Sequence, residues 1–165
     1  MTSTFREATE ADAAAISALH NTAPDDLTAR FGKGHWSYQG TERGVLYDLK
    51  ISRVFVETDA SGIVGTFKLG TRKPWAIDVS YFTSVSTPLY VQSMAVRPEL
   101  QRTGVGRRLL ERAVEVARAW PAGAIRLDAY DADAGAGTFY AKCGYEERGR
   151  VVYRDTALIY YELVL

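Results

Sequence analysis

One cysteine (Cys143), two histidines and two methionines are the only sulfur or imidazole side chains in this 165-residue chain. A lone thiol excludes an intrachain disulfide and points to a reducing compartment. Two histidines and one cysteine are too few for an ordinary zinc site, so no metal is expected. Net charge is missing too: 20 basic and 20 acidic side chains cancel to 0. That argues against a dedicated nucleic-acid binder, whose affinity rests on neutralising phosphates. No apolar run approaches the length of a membrane span. The opening residues, MTSTFREATEAD, reach acidic side chains early and hold no apolar signal core. The expectation is a cytoplasmic protein with no nucleic-acid or membrane partner; its assembly is left open, a homodimer included.

What is present suits a globular chain, with 47% hydrophobic and 24% charged residues. No repeat, low-complexity tract or linker divides it, so residues 1–165 are expected to form a single domain. A short strand over Thr2–Ala8 and a helix from about Ala11 to Asn21 are predicted, with Glu10 and Asp12 at the helix's positive end. Residues 24–50 suggest a short helix or two around a loop holding His35 and Trp36. Strands are expected at Arg53–Thr58, Ile63–Leu69, Trp75–Phe82 and Leu89–Val96. The period then changes. Val105, Leu109, Ala113, Val116 and Trp120 mark one helix face, which Pro121 and Gly123 end. Ile125, Leu127 and Ala129 alternate with polar partners as a strand. A short helix over Ala134–Cys143 stops at Gly144, and Tyr145–Tyr153 with Ala157–Leu165 make a closing hairpin.

The segment most suggestive of chemistry is Gln101-Arg102-Thr103-Gly104-Val105-Gly106, between a strand and a helix. Unpaired amides at a helix start, aided by the helix dipole, favour an anion. Gly104 and Gly106 let a phosphate approach the backbone closely. Charge adds to this: Arg97, Arg102, Arg107, Arg108 and Arg112 outnumber Glu99 and Glu111 locally. The spacing matches neither a Walker A loop nor Gly-x-Gly-x-x-Gly. A glycine-containing turn with surface arginines is the plainer alternative.

The run from Met94 to Leu110 resembles the acyl-coenzyme A signature of the GNAT acyltransferase superfamily: a strand ending in Val, a Pro-Glu turn, then Gln/Arg-x-x-Gly-x-Gly/Ala. Downstream, Ala136–Tyr145 is similar to that family's second motif, Ala-x-x-Phe-Tyr-x-x-x-Gly-Phe/Tyr. The resemblance implies an α/β (α+β) fold. Its mostly antiparallel, mixed sheet would have about seven strands, flanked by about four helices and parting between strands 4 and 5. It implies transfer of acetyl from acetyl-CoA, as co-substrate, to a primary amine. Met94, Ala95 and Val96 would bind the pantetheine arm as an added strand would. Gln101, Arg102, Thr103, Gly104, Val105, Gly106 and Arg107 would hold the pyrophosphate. Tyr140 would stand near the thioester sulfur, able to donate a hydrogen bond or proton to the leaving thiolate.

The chain departs from the family pattern at two positions. Asp133 replaces a frequent Asn, and Gln92 stands where several members carry a general-base glutamate. An amide cannot take a proton from an ammonium group, so Asp128 is the expected base, with a salt bridge to Arg126 as the alternative. Glu57, Asp78 and His35 are further candidates. The family's variable loop would bring His35 and Trp36, with Tyr38 nearby, to the acceptor alongside Gln92. Trp75, Tyr81, Phe82 and Tyr90 either add aromatic walls or are core, and His20 reads as a surface residue. An acyl-CoA-binding sensor without turnover is the competing function.

Overall fold

The computed structural model describes residues 2–165. Seven strands form one mixed sheet: β1 (Thr4–Glu7), β2 (Arg53–Asp59), β3 (Gly62–Gly70), β4 (Pro88–Val96), β5 (Ala124–Tyr130), β6 (Glu146–Tyr153) and β7 (Thr156–Val164). Their spatial order is β1-β2-β3-β4-β5-β7-β6. Four α-helices flank it: α1 (Ala13–Phe31), α2 (Glu42–Ile51), α3 (Val105–Ala119) and α4 (Gly137–Lys142). The neighbouring strands are antiparallel except β4 and β5, which run parallel because α3 carries the chain back across the sheet.

Strand alternation divides the core between two faces. Val54 and Val56 point to one face and pack against Ala13 and Ile16 of α1 and Val45 of α2. Phe55, Phe67 and Leu127 point to the other and pack against Val105, Leu109 and Ala113 of α3. The face expected for α3 is the one turned to this core. Gly144, at φ +93°, ends α4 in the left-handed region.

Two expected elements change. Trp75–Phe82 is not a strand and has no partner in the sheet. Asp78 instead folds its carboxylate back onto the backbone N–H and hydroxyl of Ser80 (3.0 and 2.7 Å), producing a 3-10 turn over Val79–Tyr81. Ile77 and Phe82 are buried with Tyr90 and Tyr160, whereas Trp75 is 89% exposed. The second change is α1, which runs on to Phe31 through Pro24. Pro24 has no N–H for the His20 carbonyl, but burial of one face carries the helix through that lost bond.

The parting of the sheet positions everything that follows. β4 and β5 pair at only three positions, Pro88 with Ala124, Leu89 with Ile125 and Tyr90 with Arg126. Beyond them the strands separate. At the closed end Arg126 is buried, its Nε 2.9 Å from Glu162 Oε2, and it also donates to Tyr90 Oη and the Thr83 carbonyl. Glu162 Oε1 accepts the Thr83 N–H at 3.1 Å. Two strands, β7 and one loop are thereby fastened at a single vertex.

Candidate active site

Where the strands part, a cleft of about 660 Å³ opens. Gln92, Ser93, Met94 and Ala95 of β4 form one wall, and Asp128, Ala129 and Tyr130 of β5 form the opposite one. Register puts Val54, Lys68, Gln92, Tyr90, Arg126 and Asp128 on the sheet face that α1 covers. Tyr140 enters from α4 on the other face, packed on Tyr161 with ring centroids 6.0 Å apart. Because no hydrogen bonds join the strands here, groups from both faces meet in one space.

The β4 wall is distorted. Thr66 pairs with Ala95 and Lys68 with Gln92, so three steps on β4 oppose two on β3, a β-bulge. Ser93 takes φ +53°, a left-handed conformation that a serine adopts only when its surroundings enforce it. The carbonyl of Ser93 faces His20, whose Nε2 lies 3.2 Å away. A carbonyl only accepts, so Nε2 carries the hydrogen. Burial lowers the His20 pKa, outweighing the opposing effects of that hydrogen bond and Asp48. His20 therefore lines the cleft rather than the surface. Its signal was helical spacing: it lies four residues after buried Ile16, on a stripe that continues through Ala23, Pro24 and Leu27 into the cleft wall.

Asp128 has no ion-pair partner among the described residues. Arg126, its suggested salt-bridge partner, is engaged with Glu162 instead. Burial raises the Asp128 carboxyl above the usual range. Tyr140 Oη approaches Met94 Sδ at 4.0 Å, and burial first, then the Asp128 charge, raise its pKa. The other candidate bases lie elsewhere, His35 excepted. Glu57 is buried against Arg108 of α3 (2.9 Å), and Asp78 caps its own turn. His35 and Trp36 line the cleft with Tyr38, held there by Tyr130, whose hydroxyl donates to the His35 carbonyl at 3.2 Å. Of the other aromatic residues, Tyr90 and Phe82 belong to the buried vertex, and neither Trp75 nor Tyr81 reaches the cleft; Tyr130 and Tyr153 do.

Val96 ends β4, and the 3-10 turn Pro98–Leu100 leads from it into the glycine loop. Arg102 (φ +63°) and Gly104 (φ +97°) are both left-handed, which turns successive amides to one side. The N–H groups of Gly104, Val105, Gly106 and Arg107 meet no backbone acceptor among the described residues. A Cβ on Gly106 would lie 3.0 Å from Phe139 Cζ and 3.6 Å from Met94 Cε, so the loop abuts the cleft wall. Unpaired amides at the start of a 15-residue helix, next to a strand edge left open, fit a phosphate-bearing chain that continues as an extended arm.

Residues 50–147 match the acetyltransferase (GNAT) domain family. Similar solved structures span nearly the whole chain. An N-acetyltransferase from Staphylococcus aureus Mu50 is 19% identical, with TM-score 0.73 and 99% of each chain covered. A ribosomal-protein-alanine N-acetyltransferase from Brucella melitensis is 19% identical, with TM-score 0.74, covering 98% of this chain and 99% of that one. A Salmonella typhimurium structure that contains acetyl-CoA as its cofactor is 20% identical, with TM-score 0.71, covering 100% and 95%. At these identities they establish the fold alone. No curated protein matches the sequence.

Proposed function

This chain belongs to the GNAT acetyltransferase family, and we propose that it moves an acetyl group from acetyl-CoA to a primary amine by direct attack. The observation that carries this reading is the parted sheet, where Asp128 from one face and Tyr140 from the other open into one cleft.

The pantetheine arm lies along the open edge of β4 at Met94, Ala95 and Val96, and its pyrophosphate takes the free amides of Gly104, Val105, Gly106 and Arg107, with Gln101, Arg102 and Thr103 framing the loop. The amine enters between α1, the His35–Trp36 turn and β5, with Gln92 beside it. An alkylammonium with a pKa near that of lysine, about 10.4, must lose a proton before it can attack. Asp128 takes that proton, directly or through one water. The neutral amine nitrogen then bonds to the acetyl carbon, the carbon–sulfur bond breaks, coenzyme A leaves as a thiolate, and the nitrogen gives up its excess proton to water or to that thiolate. Tyr140 donates a hydrogen bond to that sulfur. Its raised pKa exceeds that of an ordinary thiol, about 8.5, so the phenol keeps its proton and stabilises the charge by hydrogen bonding. An acyl-CoA sensor would need no free carboxylate in the cleft; the unpaired Asp128 favours turnover.

Acetyl-CoA should raise the melting temperature, and thiol release should depend on an added amine. Tyr140→Phe should leave the thermal shift intact and lower turnover roughly 10²- to 10³-fold. A wild-type protein indifferent to saturating acetyl-CoA would refute the proposal. A Tyr140→Phe loss under about threefold would return that residue to packing.

A further inference from the structure

The acceptor end of the cleft differs sharply in chemistry from the loop that would hold the phosphates. Asp128 is the only carboxylate in its lining, and no lysine or arginine side chain lines it among the described residues. Arg72 meets this region through its carbonyl, 3.4 Å from Gln92 Nε2. The wall is built instead from Leu27, Trp36, Tyr38, Tyr130, Tyr153 and Leu158.

Two of its polar ends are already occupied. The Trp36 indole N–H donates to the Gly32 carbonyl at 2.9 Å, and the Tyr130 hydroxyl donates to the His35 carbonyl. These two rings meet edge to face, 6.2 Å apart, and present their carbon surfaces. An acceptor therefore meets one acid for its amine and an aromatic box for its body.

Each feature excludes a class of amine. A carboxylate-bearing amine, such as a free amino acid, would lose water without gaining a cation. A polyamine or aminoglycoside would bring several ammonium groups to a single carboxylate. A peptide would bury amides and carbonyls beside Pro24, Pro74, Leu27 and Trp36, and only Gln92, Thr156 and the open edge of β5 could pair with them. The volume lies within the roughly 300–1,000 Å³ typical of small-molecule sites, and part of it must hold the pantetheine end.

We propose that the acceptor is a small monoamine with an aromatic body and no acidic group, its amine at Asp128 and its ring packed against Trp36 and Tyr130. This rests on the acetyltransferase reading above and narrows it.

The test is thiol release at saturating acetyl-CoA with four acceptors: 2-phenylethylamine, phenylalanine, spermidine and a short peptide with a free N-terminus. Phenylalanine differs from 2-phenylethylamine only by its carboxylate. The expected kcat/KM for 2-phenylethylamine exceeds that for phenylalanine at least roughly 100-fold, and exceeds those for the other two. Trp36→Ala should raise the KM for 2-phenylethylamine about 10- to 100-fold while the KM for acetyl-CoA holds. If acetyl-CoA stabilises the protein but another acceptor equals or beats 2-phenylethylamine, the aromatic-amine inference is wrong and the transferase reading survives. The aromatic-amine inference fails equally if none of the four is acetylated, or if Trp36→Ala leaves both KM values unchanged. If acetyl-CoA does not bind at all, the transferase reading itself fails.

Discussion

Glu162→Gln tests the vertex at which the sheet parts. The Arg126 and Glu162 side chains are 5% and 1% exposed, and their Nε and Oε2 atoms lie 2.9 Å apart. Glutamine keeps the volume but replaces one carboxylate oxygen with NH₂. However the amide turns, that NH₂ faces a donor, either Arg126 Nε or the Thr83 N–H. The guanidinium charge is then left without its counter-ion. Removing one partner of a buried pair costs about 3–5 kcal/mol. Arg126 retains two neutral acceptors and the rings of Phe82 and Tyr90 at 5.0 and 6.0 Å, so the lower end, about 3 kcal/mol, is expected. For a chain of this size each kcal/mol lowers Tm by about 2–4 °C, giving a drop of about 6–12 °C. Urea denaturation and calorimetry measure both quantities. A loss below about 1 kcal/mol, the range of exposed pairs, would refute the reasoning. Arg126→Met combined with Glu162→Leu removes both charges and should recover most of the loss.

Asp128→Asn should cut turnover roughly 10²- to 10⁴-fold and remove the acidic limb of the pH–rate profile, with acetyl-CoA affinity unchanged; near-wild-type activity with the same profile would exclude Asp128 as base. The same substitution should stabilise the fold at neutral pH. The folded carboxyl has a pKa above its unfolded value, so its contribution to stability is fully present below the unfolded pKa, about 3.9, and is lost as pH rises through the folded one. The Tm advantage of the Asn variant should therefore shrink toward pH 4, and a gap independent of pH would contradict the burial argument. At the bulge, His20→Ala should lower turnover about 10- to 100-fold by releasing Ser93, while His20→Gln, whose Nε2 can reach the same carbonyl, should restore most of it. Equal activity in both variants would leave the bulge self-supporting.

Much of this arrangement was legible in the sequence because it is local. The α3 face follows from helical spacing, and the glycine loop follows from Gly104 and Gly106 opening a helix. The closing hairpin follows from alternation. Gln92 and Asp128 come to facing strands through the resemblance to the acyltransferase motifs, and the register puts both on one sheet face. The rest depends on contacts between distant segments. Nothing near Arg126 indicates that its counter-ion is Glu162 rather than Asp128, two residues away. Tyr81 and Phe82 look like strand residues until Asp78 bends the chain beneath them. His20 follows a core position at helical spacing, but its role appears only when Ser93 is seen bulging toward it.

The three-position joint between β4 and β5 also bears on how the molecule assembles. β1–β4 form one continuous meander, each strand beside the next in sequence, while β5–β7 come from the last forty or so residues. Hairpins such as β2–β3 and β6–β7 close short loops and can form early. The parallel joint needs α3 to carry the chain across, so it is a pairing of long chain separation between the two groups of strands that bound the cleft. A substrate lying along β4 and reaching β5 would therefore act as a strap across that short seam, stabilising it for as long as the substrate stays bound.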